Sequence, residues 1–191
     1  MHLPHELNAS ERSERLEALA RHVEANTGGI NDVPFSHEVN NHVHTTYSFS
    51  PYSPTAAAWM ARGAGLRAVG SVDHDSIAAA PETIEACKLL GIGSTVGCEV
   101  RVNFTGTPIE GRMINNPDSP NLAYMVFHGV PANRVEQVDG FLAPIRERRN
   151  ERNRLQTQAM SRLLEEAGAP AVSFDDVVAL SMAGEGGGIT E

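Results

Sequence analysis

Two cysteines in 191 residues, Cys87 and Cys98, are too few for a disulfide framework, and they suit a reducing compartment. Positive charge is also short. The chain carries 15 Lys and Arg against 24 Asp and Glu, a net charge of −9. Nucleic-acid backbones call for a basic face, so this balance argues against a dominant nucleic-acid surface. No apolar run nears the ~20 residues of a membrane-spanning helix. The opening Met1-His2-Leu3-Pro4-His5-Glu6 lacks the basic-then-apolar order of a secretory signal. These absences predict a cytoplasmic protein with no membrane partner. Internal repeats and low-complexity tracts are missing too. What remains is 41% hydrophobic and 20% charged, with length enough for one sizeable core.

Hydrophobic spacing predicts a helix over 9–26 with Ser10 as N-cap, ended by Thr27-Gly28-Gly29. A strand is expected over 36–43 and a helix over 55–65, opened by Pro54. An apolar strand over 66–72 runs into Asp73-His74-Asp75, and a helix over 76–90 follows with Asp75 or Ser76 as its cap. Residues 94–98 read as a strand ending at Glu99, with a hairpin-like stretch over 100–104 and a polar insertion over 105–121. The next strand is 122–127, with His128 at its tip. Residues 133–168 read as helical with a break or kink at Pro144, and 173–181 as a short helix capped by Ser173. Glycines then lead to Thr190, a candidate cap for one more helix. Strands alternating with helices predict an α/β fold with a parallel sheet, either barrel or open. Three parts are expected: an N-terminal helical extension (1–37), a first part with the chemistry (38–132) and a helical insertion or lid (133–191).

The chemistry starts at Asn40-Asn41-His42-Val43-His44-Thr45. Two histidines one residue apart on a strand project to one face, an arrangement suited to gripping a metal ion. Further candidate ligands sit near the ends of successive expected strands: Asp73 and His74, then Glu99, then His128. In α/β barrels the C-terminal strand ends carry the chemistry. Imidazoles and carboxylates suit Zn, Mn or Fe ions, and a carboxylate such as Glu99 can bridge two of them. Each residue alone has a plainer reading. The histidines can be surface or core groups, Asp75 a helix cap, and Glu99 a strand-end charge. Arg146, Arg148, Arg149, Arg152 and Arg154 divide in the same way. They form either a solvated helix face or a lid whose guanidiniums, with Arg148 and Arg152 four apart, hold a substrate phosphate.

Four segments in order resemble the PHP superfamily, named for polymerase and histidinol phosphatase. They are His42-Val43-His44-Thr45, Asp73-His74-Asp75-Ser76, Gly97-Cys98-Glu99-Val100 and His128-Gly129-Val130. The Arg-rich helix before a Gly-rich turn is similar to an insertion in the phosphoesterase branch. The resemblance implies a distorted (β/α)7, TIM-like barrel binding two or three divalent ions (Mn, Zn, Fe or Mg). It implies hydrolysis of phosphate esters by metal-activated water. Carried over by position, His42, His44 and Glu99 would hold one ion, and Glu99 would bridge to a second held by His128. His74 would serve a third ion, with Asp73 supporting it. Asp73, His74 and Glu99 are thus the implied catalytic groups, and Arg148 and Arg152 the candidate phosphate ligands.

Two departures matter. Phe49 follows Ser48 where the family often has a ligating Asp, and no His follows His128. The expectation is therefore the front part of a barrel, about four of its strands, with the missing strands supplied by the rest of a longer chain. The primary functional reading is a metal-dependent phosphoesterase for a small phosphorylated molecule, incomplete as this piece. The alternatives are a non-catalytic metal-binding or accessory PHP domain and an amidohydrolase-like hydrolase.

Overall fold

Four strands form one sheet in the order β1 (Asn40–Val43), β2 (Ala68–His74), β3 (Gly93–Asn103) and β4 (Leu122–Phe127). The computed structural model describes residues 2–189, so the expected cap at Thr190 lies outside the described residues. The helices are α1 (Arg12–Glu24), α2 (Pro54–Gly63), α3 (Ala80–Leu89), α4 (Val135–Glu166) and α5 (Phe174–Ala179). The result is a mixed α/β fold whose sheet and helices fit part of a barrel.

The first three strands pair in parallel, as the alternation of strands and helices requires. The fourth does not: β4 runs antiparallel to β3, with Glu99 opposite Val126 and Cys98 opposite Phe127. The reason lies in the connection. Residues 104–121 contain no helix, so they cannot carry the chain across the sheet and instead turn it back as a long hairpin. β3 is correspondingly long, and its first part pairs with β2 while its second pairs with β4. Glu99 therefore sits within a strand, not at its tip. At Gly97 the carbonyl oxygen of Phe127 lies where a Cβ would stand, 1.9 Å away. Only glycine lets the β4 backbone approach there.

Leu7, Leu19, Ile30, Trp59, Val69 and Leu90 belong to a core that joins α1, α2 and α3 to the sheet. A buried ion pair crosses these helices. Arg15 of α1 donates from Nε and Nη2 to the Glu82 carboxylate of α3 at 2.8 and 2.6 Å. Glu82 also accepts from the backbone N–H and hydroxyl of Thr55 on α2. A second core gathers Ile77, Val96, Cys98 and Leu142, with Val138 and Ile145 of α4 against it.

Several helix ends differ from expectation. α1 starts at Arg12, and Ser10 caps nothing; its carbonyl accepts from Arg15. α2 follows the prediction, with Pro54 in its first turn and the Ser53 hydroxyl accepting from the Ala56 N–H. α3 begins at Ala80, four residues late, with no side-chain cap. Asp75 takes a left-handed φ of 52° and engages α4, while the Ser76 hydroxyl donates to the Gly186 carbonyl. Pro144 does not interrupt α4. Its ring faces the carbonyl of Gly140, an exposed position where water can replace the lost bond. Ser173 caps α5 in a reciprocal box with Asp176.

Candidate metal centre

The β1–α2 loop places the histidines. Asp73, near the end of β2, is buried and accepts three hydrogen bonds from that loop. They come from the Thr45 backbone N–H at 2.7 Å, the Thr45 hydroxyl at 2.7 Å and the Ser48 hydroxyl at 2.5 Å. Burial pushes the Asp73 carboxyl above its ordinary range, and the three donors pull the other way. Ser48 spends its hydrogen on Asp73, so toward His44 it can only accept. His44 Nδ1 lies 3.4 Å from Ser48 Oγ. A His44 proton on Nδ1 would donate to Ser48 and leave Nε2, with its lone pair, as the ligating atom.

That lone pair faces a ligand set. His42 Nε2 and His44 Nε2 are 3.2 Å apart. Glu99 Oε2 lies 3.0 Å from His42 Nε2 and 3.8 Å from His44 Nε2. A tetrahedral ion with bonds of about 2.0–2.1 Å holds its ligands about 3.3 Å apart. The three separations bracket that value, and all three ligand atoms fall within 4.8 Å of one another. The group fits a small divalent ion. Burial, with the neighbouring histidines, lowers the His44 pKa to about 4, so the ring is neutral and able to ligate at neutral pH.

His74 adjoins the trio on the other side of Glu99. The register pairs it with Glu99, its Nδ1 lies 3.8 Å from Glu99 Oε1, and its ring stacks on His44 at 4.7 Å. The two carboxylate oxygens thus face different imidazoles. Burial first, then the Arg149 charge, lowers the His74 pKa. His128 is exposed, one residue past β4, and is absent from the converging group. The reversed strand explains this: the residue directly across from Glu99 is Val126.

Beyond His74 and Glu99 opens a cavity of about 280 Å3, walled by Phe49, Arg101, Tyr124, Arg149 and Arg152. Of the two expected phosphate ligands, Arg152 lines it and Arg148 does not; Arg148 is an exposed residue of α4. Arg149 takes the other place, fixed by Asp75, whose Oδ2 accepts from Arg149 Nε at 2.7 Å and Nη2 at 2.5 Å. Arg101 and Tyr124 were not foreseen. Alternation from Glu99 along β3 puts Arg101 on the same face, and it pairs with Tyr124 across the hairpin. That signal was readable only with the hairpin register in hand.

No family model matches the chain, and no curated protein matches it either. Solved structures do share its fold. One is a "putative metal-dependent phosphoesterase" from Bifidobacterium adolescentis, 24% identical, with a TM-score of 0.61 over 83% of this chain and 48% of that one. Another is an amidohydrolase from Chromobacterium violaceum, solved with bound sulfate and no metal, also 24% identical, with a TM-score of 0.56 over 77% of this chain and 45% of that one. The chain thus spans less than half the length of either structure. At this identity the likeness establishes the fold. No described helix is long and apolar enough to cross a membrane.

Proposed function

We propose that the chain carries a metal-binding part of a hydrolase acting on small phosphate esters. The observation that bears this reading is the meeting of a three-ligand set with a guanidinium-lined cavity. His42, His44 and Glu99 supply the ligands, and Glu99 Oε1 and His74 face the cavity. A divalent ion held there would acidify water and polarise an ester oxygen. Arg101 and Arg152 have no carboxylate among their recorded partners, so their charges are available to an anion, whereas Arg149 is committed to Asp75. A phosphate ester carries its negative charge at the reacting centre and matches these guanidiniums more directly than a neutral amide does. The fold neighbours carry the names of a phosphoesterase and an amidohydrolase, and both names are compatible with a hydrolase.

In this reading Asp73 positions the loop and touches no substrate. A second ion, the role of His128 in holding it, and barrel strands from the rest of a longer chain belong to the same proposal, as does a cytoplasmic setting. The test is metal titration by calorimetry, followed by a panel of phosphate esters with Mn2+ or Zn2+. Binding of at least one equivalent is expected, and it should vanish in the His42→Ala, Glu99→Ala double variant. Full binding in that variant would refute the site.

A further inference from the structure

Phe49 stands at the cavity mouth with 56% of its surface exposed. Its ring lies 4.7 Å from His44 and 5.3 Å from His74. A phenyl ring at the rim of a polar, ion-binding cleft contributes nothing to metal chemistry. It leaves apolar surface exposed at the mouth of the cavity, where a ligand can cover it. Tyr124 lines the same cavity, its ring 6.3 Å from His74. The Arg101 guanidinium lies over the Tyr124 ring at 5.1 Å and donates to the Tyr124 hydroxyl at 2.5 Å. That contact holds the tyrosine in place and adds a second flat surface. Both rings thus line one cavity with His74 and Glu99, Phe49 tilted at 42° to the His74 ring and Tyr124 edge-on to it at 80°.

We propose that Phe49 and Tyr124, with Arg101, form a binding subsite for a planar aromatic group on the substrate, attached next to the phosphate. This rests on the phosphate-ester reading above and narrows it: the esterified group is aromatic rather than an open-chain alcohol. The faces suit stacking by any flat ring, because every such ring offers a π-surface, and the guanidinium adds a cation–π contribution.

The test uses two non-hydrolysable anions of equal charge, phenylphosphonate and propylphosphonate, titrated calorimetrically into the protein with and without Zn2+. Phenylphosphonate is expected to bind about tenfold more tightly, the scale of one base–aromatic stack. Phe49→Leu keeps an apolar side chain against His44 but removes the flat face. It should cut that preference to about twofold, while the dissociation constant for propylphosphonate stays within about twofold of the parent. Tyr124→Leu should act in the same direction. Equal affinity for the two anions, or a preference that survives both substitutions, overturns the subsite and leaves the phosphoesterase reading standing. Failure of both phosphonates to bind overturns both readings.

Discussion

Removing the Asp73 side chain should separate positioning from catalysis. The carboxylate sits under the β1–α2 loop and takes three hydrogen bonds, two from Thr45 and one from Ser48. Asp73→Ala leaves a backbone N–H and two hydroxyls without their acceptor in a site that is closed to water. Hydrogen bonds to a charged group contribute roughly 1.5–3 kcal/mol each, but the hydroxyls can turn to other acceptors. A net loss of about 3–5 kcal/mol is the reasoned value, a large fraction of the roughly 5–15 kcal/mol of a typical domain. The loop also holds the His44 ring through the Ser48 contact, so metal affinity should fall by about 10–100-fold. Asp73→Asn is the control. Its amide oxygen can keep the Thr45 N–H and the Ser48 hydroxyl, and its NH2 can face a turned Thr45 hydroxyl, so the loss should stay within about 1–2 kcal/mol. Urea unfolding and calorimetric metal titration read the two effects. If Asp73→Ala kept both its unfolding midpoint and its metal affinity, the claim that this carboxylate builds the site would be wrong.

Two further outcomes follow from buried charge. Glu82→Gln strands the Arg15 guanidinium among α1, α2 and α3, and should cost about 3–5 kcal/mol in chemical unfolding; the Arg15→Met, Glu82→Leu pair should recover much of it, and a Gln variant as stable as the parent would show the pair to be dispensable. The pH dependence of metal-free stability has a fixed sign at His44. Its folded pKa of about 4 lies below the ordinary 6.5, so the unfolded chain takes up the proton first. Stability is complete above about pH 6.5 and falls as the pH drops toward 4, by up to about 3 kcal/mol. His74, lowered for the same main reason, adds in the same direction. Urea melts between pH 7.5 and 4 should show this slope, and His44→Gln should flatten it.

The sequence displays the ligand trio more openly than the cavity around it. Two histidines of one strand and its following loop are neighbours by local geometry alone, and Glu99 joins them through the parallel register of β2 and β3. Apolar strands and turn glycines made that register legible. The direction of β4 was harder, because a polar insertion reads alike whether it crosses a sheet or doubles back. That single ambiguity concealed Arg101 and Tyr124, while His128 stands at the strand tip as expected but outside the trio. Arg148 and Arg149 differ by one step of a helix. Periodicity cannot rank them until the Asp75 carboxylate fixes the rotation of α4, and Asp75 was available only because it does not cap α3. Asn40–Val43 proved shorter than the expected 36–43 because only those residues find hydrogen-bonding partners on β2.

α4 is a lever with its fulcrum at one end. Leu142 in the core and Arg149 on Asp75 pin its first half beside the cavity, while most of the helix past Thr157 is turned to solvent. The exposed face of the outer arm can therefore vary in composition without touching the ion site. Any force applied to it, by contrast, would reach the pocket through Arg152 and the Arg149–Asp75 joint.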